Sequence, residues 1–498
     1  MNNRFNLIDQ KWIPTAAKQN VSLKDVFKGK GIRDIGGNPV EKISFFKLFL
    51  AIAQRSVALK GQPIDSYNNE KLSNICIEYL EQNYNNFFLW GDKPFLQIPG
   101  ARAAKVKTFN ELSIDISTGN SPVLYASQHE RDFTEEEIPK LILTLMSFAT
   151  GGKKTDNSVI LTPGYKGKMN EKKNPSTGKA GPSLGFKGYL HSFVLAETLL
   201  DTIRINLFDE EYIKEFDFMT EGIGIPPWEE YPLGEDDEIA IRLKNSYMGR
   251  LIPMCRFVYL NEDGMHFTEG IKHNSIYDGA FDMSTTVDFS KKKPITLWSD
   301  PGTHPWRYMF LFLSFFDSES TSEMVCHQLK NAFRRIQKEK MNCYIWSGGL
   351  RVSSKAGEQY CTGDDDYTSS KIFLNYSYLS EECYAKLKFN FEILKKYETV
   401  LYFSVRGYFE GLRIDFKKHC EKAKKLYWEF MQKDLHFMTD MVFLEDERTV
   451  KIAAFNYIRN VYDLMCPAST PNRIMEWAKN NPAINKGGKK GGRSKKED

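Results

Sequence analysis

Trp346-Ser-Gly-Gly-Leu-Arg-Val-Ser-Ser-Lys-Ala356 divides the chain into two kinds of sequence. Upstream lies a mixed, aromatic-rich region with irregular loops. Downstream, past the acidic loop Cys361-Thr-Gly-Asp-Asp-Asp-Tyr367, apolar residues recur at helical spacing. Leu387, Phe391, Leu394, Leu401 and Val405 make one stripe. Phe416, Cys420, Ala423, Tyr427 and Phe430 make a second, and Ala454, Ile458, Val461 and Met465 a third. A shorter helix is expected over residues 471–479. Stripes of this kind bury one face of each helix against its neighbours and specify a bundle. The fold class expected is therefore α+β: a large mixed N-terminal domain of irregular topology over residues 1–372, then a C-terminal four-helix bundle over 373–484. Residues 485–498, glycine and basic residues without an apolar side chain, are expected to be a disordered tail.

The dividing stretch has its own chemistry. Gly348 and Gly349 permit positive φ and carry no Cβ, so they predict a turn. Arg351 and Lys355 add positive charge, and Ser353 and Ser354 add short hydroxyls. Such a loop suits a nucleic-acid groove, where small polar groups and a lysine read edges and width. Composition alone favours an ordinary hairpin or interdomain turn, because glycine and serine punctuate loops everywhere.

Upstream, residues 5–14 read as a short strand closed by Pro14, and 43–53 as a helix in the core. Helical spacing is also expected over 71–81, 134–149, 192–206, 303–316 and 323–339. Residues 87–100 read as strand–turn–strand, and 247–261 as a strand turning at Glu262-Asp-Gly264 into a hairpin.

With 498 residues, 41% of them hydrophobic and 13% aromatic, the chain has the material for a sizeable core and more than one domain. Its net charge of +4 is too mild to imply a polyanionic partner, so clustering must carry that argument. Three segments supply it. Residues 151–188 hold Lys153, Lys154, Lys166, Lys168, Lys172, Lys173, Lys179 and Lys187 among eight glycines, and read as a long mobile loop. Lys291, Lys292 and Lys293 form a basic turn. Arg351 and Lys355 complete the set. Lysines at three separate sites fit phosphate-backbone contact.

Catalytic signatures are missing. The eight cysteines include no CxxC pair, and the eight histidines no HxxxH. Neither GxSxG nor a Walker A loop occurs. No cofactor and no metal site is expected. Asp364, Asp365 and Asp366 leave one alternative open, a metal-dependent nucleic-acid-cleaving enzyme. The first residues lack the apolar core of a signal peptide, and no apolar run spans a bilayer, so a cytoplasmic protein without membrane contact is expected.

Several segments together resemble the CasA family, the large subunit of the type I-E CRISPR surveillance complex Cascade. They are Phe5-Asn-Leu-Ile-Asp-Gln-Lys-Trp-Ile-Pro14, residues 48–54, Lys93-Pro-Phe-Leu-Gln97, the Pro-Trp at 227–228, Gly348-Gly-Leu-Arg351 and the C-terminal stripes. The resemblance implies a noncatalytic subunit that reads the protospacer-adjacent motif (PAM) of double-stranded DNA and starts strand separation, so that CRISPR RNA pairs with the target. It implies CRISPR RNA, the duplex target, the subunits CasB, CasC, CasD and CasE, and a recruited helicase-nuclease as partners. By resemblance, Ser353, Ser354 and Lys355 stand where the family has its PAM contact and wedge, although Ser-Ser-Lys departs from the usual triplet. A PAM-facing glycine loop falls within 164–167 or 178–188, with Gly164 favoured. Lys272 matches a minor-groove lysine, and Tyr125, Ala126 and Ser127 match the loop that meets the 5′ handle of the RNA.

Overall fold

The structure, a computed structural model, describes residues 3–29, 31–113, 132–148, 155–156, 158–169, 188–277, 281–300, 303–308, 312–314, 324–351, 367–434, 439–440, 443 and 445–482. It divides into two compact units. One comprises Met1–Pro301 with Glu323–Lys371, the other Gly302–Ser322 with Ile372–Asp498.

The first unit is built around the helix Pro39–Lys60. Asn38 caps it in a reciprocal box with Glu41, Pro39 opens it, and Gly61 closes it in the left-handed conformation. Nearly every side chain from Val40 to Val57 is buried. A helix covered on all sides shows no polar face, so its sequence reads as a plain apolar run. Around it lie small sheets whose strands are mostly two to six residues long. One three-stranded sheet has the order Tyr367–Leu374, Cys343–Leu350, His191–Leu195; its last two strands are antiparallel, with Ile345 opposite Val194 and Gly348 opposite His191. A second joins Val106–Lys107 to the expected hairpin, Arg256–Asn261 and Gly264–Glu269; its two-residue turn is Glu262-Asp263, and Gly264 already pairs with Asn261 in the strand. A third orders Ile295–Thr296, Val287–Asp288 and Met324–Val325.

Several local expectations are corrected. Gly348 and Gly349 are not a turn: both are buried inside the strand Cys343–Leu350. Residues 192–206 are not one helix but the strand His191–Leu195 followed by the helix Leu199–Ile205, which Thr198 caps. The strand expected from 247 begins with a helical turn, Met248–Leu251, and becomes extended only at Arg256. The helix expected at 134 starts at Ile138; residues 135–137 ahead of it form a turn, across which Thr134 donates its N–H to the Glu137 carboxylate. Residues 87–100 hold one strand, Phe88–Trp90, and the start of a 3-10 turn, Pro99–Ala103.

The second unit is helical: Glu381–Gly411, Lys417–Lys433, Glu447–Met465 and Pro471–Asn480 among the described residues. The predicted stripes are its core. Leu387, Leu394, Leu401 and Val405 pack inward with Cys420, Ala423, Tyr427, Ala454, Ile458 and Val461. Trp306, far away in sequence, joins them: its ring lies 5.7 Å from that of Trp428, which stacks on Phe391 at 5.8 Å.

Candidate nucleic-acid interface

The glycine strand is held by what its glycines lack. A Cβ on Gly349 would lie 2.6 Å from the Tyr189 carbonyl and would strike the Ser299 hydroxyl. One on Gly348 would meet the Trp346 ring at 2.7 Å. Neither residue has positive φ. Gly349 serves close approach to the Tyr189 backbone and Gly348 leaves room for the Trp346 ring, and neither serves a left-handed turn. Trp346 is buried near Phe46 and Phe193, and the Lys42 ammonium lies 5.5 Å from its ring. Arg351 is the first exposed residue beyond the strand. Ser353, Ser354 and Lys355 lie outside the described residues, as do Tyr125, Ala126, Ser127, Asp364, Asp365 and Asp366.

The three basic segments are rooted together here. The carbonyl of Gly188, where the long lysine-rich stretch ends, accepts the Ser299 N–H at 2.7 Å. The Ser299 hydroxyl donates to the Tyr189 carbonyl at 3.0 Å, and the Leu190 N–H to the Leu297 carbonyl at 3.0 Å. Ser299 therefore touches both the end of the 151–188 segment and Gly349. It follows the strand Ile295–Thr296, which the lysine turn precedes. That turn is closed by Asp288, whose carboxylate accepts the Ser290 N–H at 2.9 Å and hydroxyl at 2.6 Å, leaving Lys291, Lys292 and Lys293 exposed.

A second cluster lies on the hairpin. Residues 158–169 form an ordered bracket rather than part of a mobile loop. Lys168, which in sequence reads as a free positive charge, is buried: its ammonium pairs with Glu235 at 2.7 Å, and the two side chains are 1% and 0% exposed. It also donates to the Val159 carbonyl at 2.8 Å and the Thr268 hydroxyl at 3.2 Å. Glu235 in turn accepts the Leu161 N–H at 3.1 Å and the Thr162 N–H at 2.8 Å. Burial alone would raise the Glu235 carboxyl; Lys168 and the amides outweigh it and hold it below the usual range. Gly164 stands at the tip, with φ +78° and open space where a Cβ would be.

Lys272 is exposed three residues beyond Glu269, the end of the strand that carries Thr268. Glu269 is raised by burial and lowered in part by the fields of Arg256, Lys168 and Lys272. Gly164 and Lys272 are thus supported by one strand, a relation their separation in sequence hides.

A further polar network had no sequence signal. Lys47 of the long helix forms an ion pair with Asp282, both side chains at most 2% exposed. The Ser284 hydroxyl donates to Asp282 at 2.6 Å, and His191 Nδ1 lies 2.8 Å from that hydroxyl. With the serine proton directed at the carboxylate, His191 donates rather than accepts, the reverse of a relay that activates a nucleophile. All four residues are sealed from solvent, so the network braces the sheet. No group of three or more His, Cys, Asp or Glu side chains fit for a metal occurs among the described residues, and no helix among them is long and apolar enough to cross a membrane.

The family model of CRISPR-associated protein Cse1 matches residues 6–456. The chain belongs to the Cse1 family. Its fold is that of solved Cse1 structures. Thermobifida fusca Cse1 is 17% identical with a TM-score of 0.74, the match covering 96% of each chain. Thermus thermophilus CasA (Cse1) is 17% identical with a TM-score of 0.69, over 96% of this chain and 98% of that one. A chain of a CRISPR RNA-guided surveillance complex is 12% identical with a TM-score of 0.69, over 97% and 100%. No curated protein sequence matches. At these identities the structures speak for the fold, mixed helix and small sheets with a helical C-terminal region. The Cse1-family chain keeps that fold with its own residues at most positions.

Proposed function

We propose that this chain is the large, noncatalytic subunit of a type I-E CRISPR RNA-guided surveillance complex. It reads a PAM in double-stranded DNA, starts strand separation, and helps recruit a helicase-nuclease. Its other partners are CRISPR RNA and the subunits CasB, CasC, CasD and CasE, and it works in the cytoplasm. The observation that carries the reading is the common root of the three basic segments at Ser299, Gly188 and Gly349. Membership of the Cse1 family and the likeness to a chain of a surveillance complex support it.

In this reading the first unit bears the nucleic-acid contacts. Arg351, Lys291, Lys292 and Lys293 meet phosphates, because exposed cations neutralise a duplex backbone without reading sequence. Ser353, Ser354 and Lys355 follow a rigid strand and act at the tag, one of Ser354 and Lys355 serving as the wedge. Gly164 and Lys272, sharing one strand for support, face the minor groove. Tyr125, Ala126 and Ser127 contact the RNA handle, where an aromatic ring stacks on a base. The protein reads a short tag and base pairing reads the rest.

The test is R-loop formation by the assembled complex on a duplex library with randomised flanking base pairs. Wild-type complex should open a subset of flanks, and Ser354→Ala with Lys355→Ala should abolish the preference. Equal opening of all flanks by wild type overturns the reading.

A further inference from the structure

We infer that Glu235 is a positioning residue for the Gly164 loop, fixing the loop in shape before any duplex arrives. The inference rests on the proposed reading that Gly164 approaches the DNA. Its grounds are geometric. One buried carboxylate ties together both limbs of the loop: the N–H groups of Leu161 and Thr162 on the way out, and the Lys168 ammonium on the way back. Lys168 extends the tie to the Thr268 hydroxyl, which itself donates to the Asp156 carbonyl at 2.7 Å. Residues 163–167 are therefore spanned by a closed polar clasp, with Gly164 in the left-handed conformation among them.

The approach of Glu235 is close enough to leave no slack. A Cβ on neighbouring Gly234 would meet the Thr162 N at 2.8 Å and strike its hydroxyl. The Thr162 hydroxyl accepts the Asp236 N–H at 3.0 Å, so the segment carrying Glu235 is bonded to the loop from both sides. Three donors converge on a carboxylate with no exposed surface; without it the Leu161 and Thr162 amides lose their acceptor, and the Lys168 ammonium, still bonded to the Val159 carbonyl and the Thr268 hydroxyl, becomes a buried charge without its counter-ion. A loop held this way loses little conformational freedom on binding, the general advantage of preorganisation.

The role separates from simple electrostatics by sign. Glu235 is an anion near a surface proposed to bind a polyanion. Were it acting through its field, its removal would strengthen binding. A positioning role predicts the opposite for tag-bearing DNA and no change in the number of phosphates neutralised.

The experiment compares wild-type and Glu235→Gln chains in the assembled complex, using the library of duplexes with randomised flanking base pairs. Glu235→Gln should lower enrichment of the preferred flank about tenfold, the scale of losing a partner to buried donors. The salt dependence of binding to unrelated duplex should stay the same. Unchanged enrichment, or tighter binding to the preferred flank, overturns the inference; no preference in wild type overturns the functional reading instead. A measurement on the wild-type chain covers a variant that fails to fold: the amides of Leu161 and Thr162 should be protected from hydrogen exchange, and free exchange of both would refute the clasp.

Discussion

Gly349 and Ser299 pack backbone against side chain with no room for a methyl group between them. This packing joins the strand leading to residues 353–355 with the segment following the lysine turn. Gly349→Ala should cost about 1–3 kcal/mol, the range for overpacking, because the Tyr189 carbonyl on the other side belongs to a paired backbone. Gly164→Ala meets open space and should cost only about 1 kcal/mol, from its left-handed φ. Denaturant unfolding of both variants checks the order.

Removing one partner of the buried pair Lys47–Asp282 should cost about 3–5 kcal/mol, since the other charge stays buried. The double variant Lys47→Met with Asp282→Leu should lose less than the two single losses added together. A double-mutant cycle on unfolding free energies measures the difference; strict additivity would deny the coupling.

His273 contributes to a pH window whose upper part His327, pushed down to about 4 by burial, shares. Burial, then the positive charge of Arg250, pushes the His273 imidazole down to about 3. The unfolded state therefore takes up the proton first, below the ordinary histidine value of about 6.5. Stability should fall as pH drops from about 6.5 toward 3, and His273→Gln should flatten that decline. The Asp282 carboxyl, which burial raises but Lys47 holds lower still, keeps its contribution above the ordinary aspartate value of about 3.9 and loses it only as pH falls further. Denaturation midpoints followed from about pH 8 down to about pH 2 cover both windows.

Neutralising Lys291, Lys292 and Lys293 together should reduce the slope of log affinity against log salt by about 2–3, nearly one for each phosphate that goes without its cation. Lys168→Met should leave that slope alone, because its ammonium is already committed to Glu235. Titrations of an unrelated duplex at several salt concentrations distinguish free from committed lysines.

The helical unit was legible because its helices each keep a wet face: Leu387, Leu394 and Leu401 repeat against exposed neighbours. The helix Pro39–Lys60 was legible only as an apolar run, since burial on every side erases the period. Gly348 and Gly349 misled, because glycine's missing side chain serves turns and close packing alike, and only their neighbours, Trp346 for the first and Tyr189 and Ser299 for the second, decide between them. Lys168 misled for a similar reason: its partner Glu235 lies 67 residues away, beyond any local pattern. Lysines in the 291–293 turn are exposed, on a turn that Asp288 closes by accepting from Ser290. Distant pairing, more than local propensity, separated the sequence reading from the site.

Strand opening without strand cutting is the activity on which the proposed function turns. The assembled complex, lacking any helicase-nuclease, should be given end-labelled duplexes that differ only in the base pairs flanking the guide-matched segment. The expected result is opening that depends on the flank, with both strands recovered at full length. Opening indifferent to the flank, or strands cleaved by the complex alone, would contradict the proposal.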